Sequence, residues 1–169
     1  MNELEEAWSQ MLEGALAEAR ASGREQVAEF LRLKQSNDMI RQTSVNWLFA
    51  AFIEAASHAN RQNSAITIER EEPHEFKLGN ATMSGNLLRI RFGVRNITVE
   101  AGWTRLPSHG VMRNGALAAA QIKHFGIPKS DVELMLRREA ETPVWKNVAD
   151  GDDFNSESVR WHLGVLLGV

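Results

Sequence analysis

The chain has 169 residues, 43% of them hydrophobic and 24% charged, with a formal net charge of −3 and no cysteine. That length suits one domain with a real core, and the balance of residue types argues against a disordered chain. The lack of cysteine excludes disulfides, zinc–thiolate and iron–sulfur sites, and a thiol nucleophile.

The opening Met1-Asn2-Glu3-Leu4-Glu5-Glu6 is acidic and carries no apolar core of a signal peptide. The longest apolar run, Val45 to Ala56, is broken by Asn46 and Glu54 and is too short to cross a bilayer. The expectation is a soluble, cytoplasmic protein with no membrane contact. Charge is uneven along the chain. Between positions 85 and 125, Arg89, Arg91, Arg95, Arg105, Arg113 and Lys123 are opposed only by Glu100. The stretch from Met1 to Lys34 instead holds glutamates at 3, 5, 6, 13, 18, 25 and 29 against Arg20, Arg24, Arg32 and Lys34. Opposite fields on two parts of one surface suit self-association or an anionic ligand.

Leu4, Trp8, Met11, Leu12, Ala15 and Ala19 share one helical stripe. Gly23 either ends that helix or kinks it, because Val27, Phe30 and Leu31 resume a helical spacing. Ser36 or Asn37 then serves as N-cap of a further helix, with Asp38 in its first turn. Ile40, Trp47, Leu48, Ala51, Phe52 and Ala55 line one side of it, and Val45, Phe49, Ile53 and Ala56 widen the apolar surface. So broad an apolar face predicts a buried central helix.

Near Ala65 the period changes to two. Ile66 and Ile68 alternate with polar residues, Pro73 is expected to stop the strand, and Phe76-Lys77-Leu78 resumes it. Gly79-Asn80 and Ser84-Gly85-Asn86 supply turn chemistry. From Leu88 to Val94 the even positions are apolar, and from Ile97 to Trp103 the odd ones are. That switch predicts a hairpin turning at Arg95-Asn96, which pairs Phe92 with Val99 and sets Arg91 opposite Glu100. After Pro107 come a loop through Asn114, a helix from Gly115 to Phe125, and a second helix opened by the capping box Ser130-Asp131-Val132-Glu133 and running to Glu139. Thr142 to Val148 reads as a short edge strand. Asp150 to Asp153 reads as a loop, and Ser156 caps a last helix from Glu157 to Leu167. The fold expected is thus a single α+β domain over 1–169. A helical part (1–63) holds an N-terminal helical pair and the buried central helix. It packs on an antiparallel sheet of about four strands (65–105), followed by short C-terminal helices and loops (106–169).

The best candidate site is the loop 105–115 leading into the predicted helix. Backbone N–H groups at a helix start attract anions, and Gly110 and Gly115 let a ligand approach the main chain. Arg105 and Arg113 supply charge-assisted hydrogen bonds, Ser108 is chemically able, and His109 is the natural general base near neutral pH. No Gly-x-Gly-x-x-Gly or Walker pattern accompanies them. The basic segment 89–113 suggests nucleic-acid binding less well, because Phe92 and Trp103 fall on the face opposite its arginines. Glu69, Glu71, Glu72, His74 and Glu75 lack a metal-ligand spacing and read as an acidic hairpin tip, and no cofactor is implied. Trp47 and Trp103 read as core. Trp161 sits on a helix too apolar to be free in water, which points to the body of the protein or to a second copy. The function expected is that of a small binding or interaction protein without evident catalytic chemistry, pairing as a homodimer through its terminal helices. An enzyme or ligand-binding domain for an anionic small molecule at 105–115 is the alternative.

Overall fold

The computed structural model describes residues 3–140 and 142–169; Met1, Asn2 and the side chain of Glu5, within the acidic opening, lie outside it, as does Glu141. It is an α+β structure of three α-helices and one six-stranded antiparallel sheet. Its contacts divide into two compact units, one running to Gln42 and the other from Thr43 to Val169.

The first unit holds α1 (Glu3–Ala21) and the beginning of α2 (Glu25–Arg61). Gly23 ends α1. It takes φ 74°, its N–H bonds to the Arg20 carbonyl and that of Arg24 to the Ala19 carbonyl, which is the Schellman arrangement. The cap expected at Ser36 or Asn37 is absent, for α2 is continuous through it and Asp38 instead holds Arg41 one turn on at 2.8 Å. Within this unit the Lys34 ammonium lies 5.1 Å from the Trp8 ring centre, which sets the two helices antiparallel.

The second unit is a meander of β1 (Thr67–Leu78), β2 (Ala81–Phe92), β3 (Arg95–Trp103), β4 (Ala118–His124), β5 (Val132–Glu139) and β6 (Thr142–Asn147), paired in that order, and then α3 (Ser156–Leu167). One sheet face buries Leu88, Ile90, Ile97, Val99, Ala120, Ile122, Leu134 and Leu136. The rear part of α2 covers it with Val45, Leu48, Phe49, Phe52 and Ala56, and α3 with Val159, Leu163 and Leu166. Trp145 Nε1 donates to the Ser44 carbonyl at 3.1 Å, and the Asn60 amide brackets both backbone groups of Ile66 where α2 gives way to the sheet.

Several expectations need correction. The sheet has six strands rather than about four, because the two helices expected over 115–125 and 130–139 are β4 and β5. β4 is buried on both faces, Ala118, Ala120 and Ile122 on one and Ala119 and Gln121 on the other, so its alternation vanished into an Ala-rich run. Ser130 closes a short 3-10 turn rather than capping a helix. The 88–104 hairpin exists, but its turn is Gly93-Val94, with Phe92 opposite Arg95 and Leu88 opposite Val99. Gly93 takes φ 62°, as the first central residue of a two-residue hairpin turn requires. The slip is an even number of residues, so the residues still in the ladder keep their predicted face, but Val94 moves from that face into the turn and is exposed, and Arg91 now faces Asn96 instead of Glu100. Pro73 does not stop β1; it sits on the edge strand at a register shift between Glu71 and His74. The glutamates around it are therefore strand residues and not a hairpin tip. Nor is α2 buried all round: Trp47 is 41% exposed. The short helices expected after the sheet reduce to α3 and 3-10 turns.

The sheet is strongly coiled. Gln121 Nε2 on β4 donates to the Lys77 carbonyl on β1 at 3.0 Å, although two strands separate them. In a flat sheet that gap is about 14 Å, three strand spacings of about 4.8 Å, far beyond one glutamine. The far end of the β1–β2 hairpin thus folds over the outer sheet face. There Phe76, Leu78, Ala81, Met83 and Ala119 form a second small core, with Met112 packed on it. The bend passes through Gly85 and Gly102, which pair across β2 and β3: a Cβ on Gly85 would lie 1.8 Å from the Ala101 carbonyl oxygen, and one on Gly102 2.3 Å from that of Ser84.

Candidate functional sites

The loop 105–115 lies against the folded-over hairpin. The Arg105 guanidinium lies 3.9 Å from the Trp103 ring centre and donates to the Ser84 carbonyl at 3.4 Å. Ser108 is exposed in a 3-10 turn over Pro107–His109. Arg113 reaches the β1–β2 turn, so close to Gly79 that a Cβ there would meet its Nη2 at 2.3 Å. Gly115, at φ 69°, ends a second 3-10 turn, and the strand β4 follows instead of a helix. The helix dipole invoked for an anion is therefore missing at this position. His109 is half-buried, and its Nδ1 is buried without a hydrogen-bond partner among the described residues.

A surface concavity of about 360 Å³ lies beside this loop, lined by Asn114, Met135, Arg137, Lys146 and Val148 among others. Its cations are engaged. Arg137 donates to the Asn114 carbonyl at 2.7 Å, and Lys146 is bonded to both Asp153 and Glu139. Those two carboxylates, Asp153 first, raise the Lys146 pKa above its ordinary value. Sequence reasoning singled out neither basic residue, since Arg137 fell in a segment expected to be helix and Lys146 in a short edge strand, neither with a motif.

On the outer sheet face His74 Nε2 meets Glu100 Oε2 at 2.7 Å, and Glu71 stands 3.8 Å from His74 Nδ1. Arg89 pairs with Glu69 at 3.2 Å, and Arg91 reaches the same carboxylate at 3.7 Å. The basic segment is thus answered by glutamates of β1 that sequence reading had placed elsewhere. Among the described residues, no group of three His, Asp or Glu is arranged to hold a metal ion.

The most deeply buried polar pair was not singled out from the sequence at all. His124 Nε2 and His162 Nδ1 face each other at 2.6 Å, with the ring centres 4.9 Å apart and the ring planes inclined by 19°, beneath α3. Phe52, Phe154 and the edge of Trp161 surround His162. Burial, and then the neighbouring His124, pushes the His162 pKa down to about 3. Burial also lowers that of His124, with Asp131 acting in the opposite sense. Alternation on β4 would have placed His124 on the core face; the helix expected over 115–125 concealed it.

The first unit presents a different kind of surface. Leu4, Trp8 and Met11 of α1, and Val27, Phe30, Leu33 and Met39 of α2, are exposed. The hydrophobic residues that it buries, among those described, are Leu12, Ala19 and Ala28. Trp161, on α3, is 56% exposed. No helix among the described residues is long and apolar enough to cross a membrane.

No protein family, curated protein or solved structure matches the chain.

Proposed function

We propose that this chain is an interaction protein without chemistry of its own, and that its N-terminal helical hairpin docks on the same hairpin of a second copy. The observation carrying the proposal is the imbalance within that unit: large apolar side chains such as Trp8, Phe30 and Leu33 lie outside while two alanines and a leucine fill the inside. A unit of this length is close to the lower limit, about 40 residues, at which a chain usually buries enough apolar surface without help from oligomerisation or cross-links. Contiguous exposed apolar surface on a soluble fold marks an association site.

Charge supports a second copy as the occupant. Glu3 and Glu6 open α1, while Arg20 and Arg24 stand at its far end. A two-fold axis that sets the α1 helices antiparallel brings Glu3 and Glu6 of one copy toward Arg20 and Arg24 of the other, which there stand beside Glu18 and Glu25. The sheet edges are poor alternatives. β1 carries Pro73 and alternating charges, and β6 is short, contains Pro143 and is bridged by Asp153.

Phe30→Glu, measured by sedimentation velocity across a concentration series, tests this. Burying Phe30 contributes about 2 kcal/mol per copy, hence about 4 kcal/mol per dimer, so the substitution should raise the dimer Kd about a thousandfold. A chain that is monomeric before substitution overturns the proposal. The second reading, a small anionic ligand at Arg105, Ser108, His109, Arg113 and Gly115, retains one favourable observation, the unpartnered His109 Nδ1.

A further inference from the structure

We infer that His124 and His162 form an acid-sensitive latch that holds α3 on the sheet. A nitrogen–nitrogen distance of 2.6 Å requires one ring to donate and the other to accept, so the facing atoms share a single proton. A metal ion does not fit between them, since zinc needs about 2.0–2.1 Å to each nitrogen. His162 is 2% exposed and His124 5% exposed, so any added charge is held away from water.

The elements packed around the pair offer little to balance that charge. From α2 comes Phe52, and from the segment before α3 comes Phe154, both apolar. The β4–β5 connection brings Asp131, whose Oδ1 already accepts the His124 backbone N–H at 2.8 Å. β3 brings Arg95, a further cation, whose guanidinium donates to the Leu166 carbonyl at the other end of α3. On α3 itself Glu157 and Arg160 are exposed. Proton uptake by the pair is thus favoured once α3 leaves and water reaches the rings, and each proton so gained draws the helix off.

The sign follows from burial. Both imidazoles titrate lower when docked than when free. Docking is therefore strongest above the free histidine range, near 6.5, and weakens as pH falls below it. One proton gained on release weakens docking about tenfold per pH unit.

Hydrogen exchange of the full chain, corrected for intrinsic rates, reads this directly. Protection of the Leu163 and Leu166 amides should lie below that of Val99 in β3, because the helix opens before the sheet, and should fall about tenfold or more per pH unit between pH 6.5 and 4.5. His162→Gln, which keeps a polar partner without titrating in this range, should flatten the dependence, and His124→Gln serves as the second variant should the first fail to fold. Protection in α3 equal to that in β3 at every pH, or an unchanged slope in the folded variant, overturns the latch.

Discussion

Replacing Gly85 by alanine tests the coil of the sheet at its tightest point. The new methyl would stand 1.8 Å from the Ala101 carbonyl oxygen and 2.6 Å from the Gly102 Cα. Both are backbone atoms, so no side chain can swing aside; β2 and β3 must part. Parting them forfeits about two ladder hydrogen bonds at about 1 kcal/mol each and adds an overpacking cost of about 1–3 kcal/mol. The sum, about 3–5 kcal/mol, is a large share of the 5–15 kcal/mol typical of a domain. With a urea m-value of about 2 kcal/mol/M, the midpoint of the Thr43–Val169 unit should drop by about 2 M. The small core of Phe76, Leu78 and Met83 should loosen with it, since the same bend places it. Gly102→Ala should cost a comparable amount, and the double variant less than the sum, because the two sites face each other. A Gly85→Ala protein within 0.5 kcal/mol (roughly the scatter of a surface change) of the parent would refute the reasoning.

Gly14→Ala should do the opposite. It lies inside α1 with open space around its Cβ direction, so helix propensity should stabilise the first unit by about 0.5–1 kcal/mol, read as a gain in helical signal on heating. Asn155 caps α3 by accepting from the Glu157 and Ser158 N–H groups, and Asn155→Ala should cost about 1 kcal/mol in a denaturant melt. Global stability should also fall with acid: His162, neutral in the fold down to pH about 3, contributes a slope of about 1.4 kcal/mol per pH unit from about 6.5 downward, which His162→Gln should remove.

Sequence patterning found what depends on one buried face. The edge strand ending at Asn147 and the final helix after the 150–153 loop are present, and so is the helix carrying the stripe from Leu4 to Ala19, although Leu4, Trp8 and Met11 of that stripe are exposed. It failed where a segment is buried on both faces, as in β4, or where one residue's close approach decides the path, as at Gly85, which reads equally as a turn signal. The hairpin register shows the limit plainly: alternation fixes the face of Ile90 and Ile97 but not the turn, which went to Gly93 because glycine takes positive φ freely at the first central position, where Arg95 would not. At the candidate site, the anion argument rested on a helix expected from Gly115 to Phe125, where the chain instead forms the strand β4. Pairs such as His74 with Glu100 and His124 with His162 lie 26 and 38 residues apart, and no local spacing announces them.

The absence of native cysteine makes one measurement decisive for hairpin pairing. Single cysteines introduced at exposed hairpin positions, Met11→Cys and Leu33→Cys, should form disulfide-linked dimers rapidly under mild oxidation, or show a short spin-label distance when labelled. Val111→Cys, on the exposed loop of the second unit, serves as the comparison. Efficient cross-linking at the hairpin and little at Val111 is the predicted result. Equal, slow, concentration-driven cross-linking at all three positions, with a mass of one 18.9 kDa chain before oxidation, would contradict it.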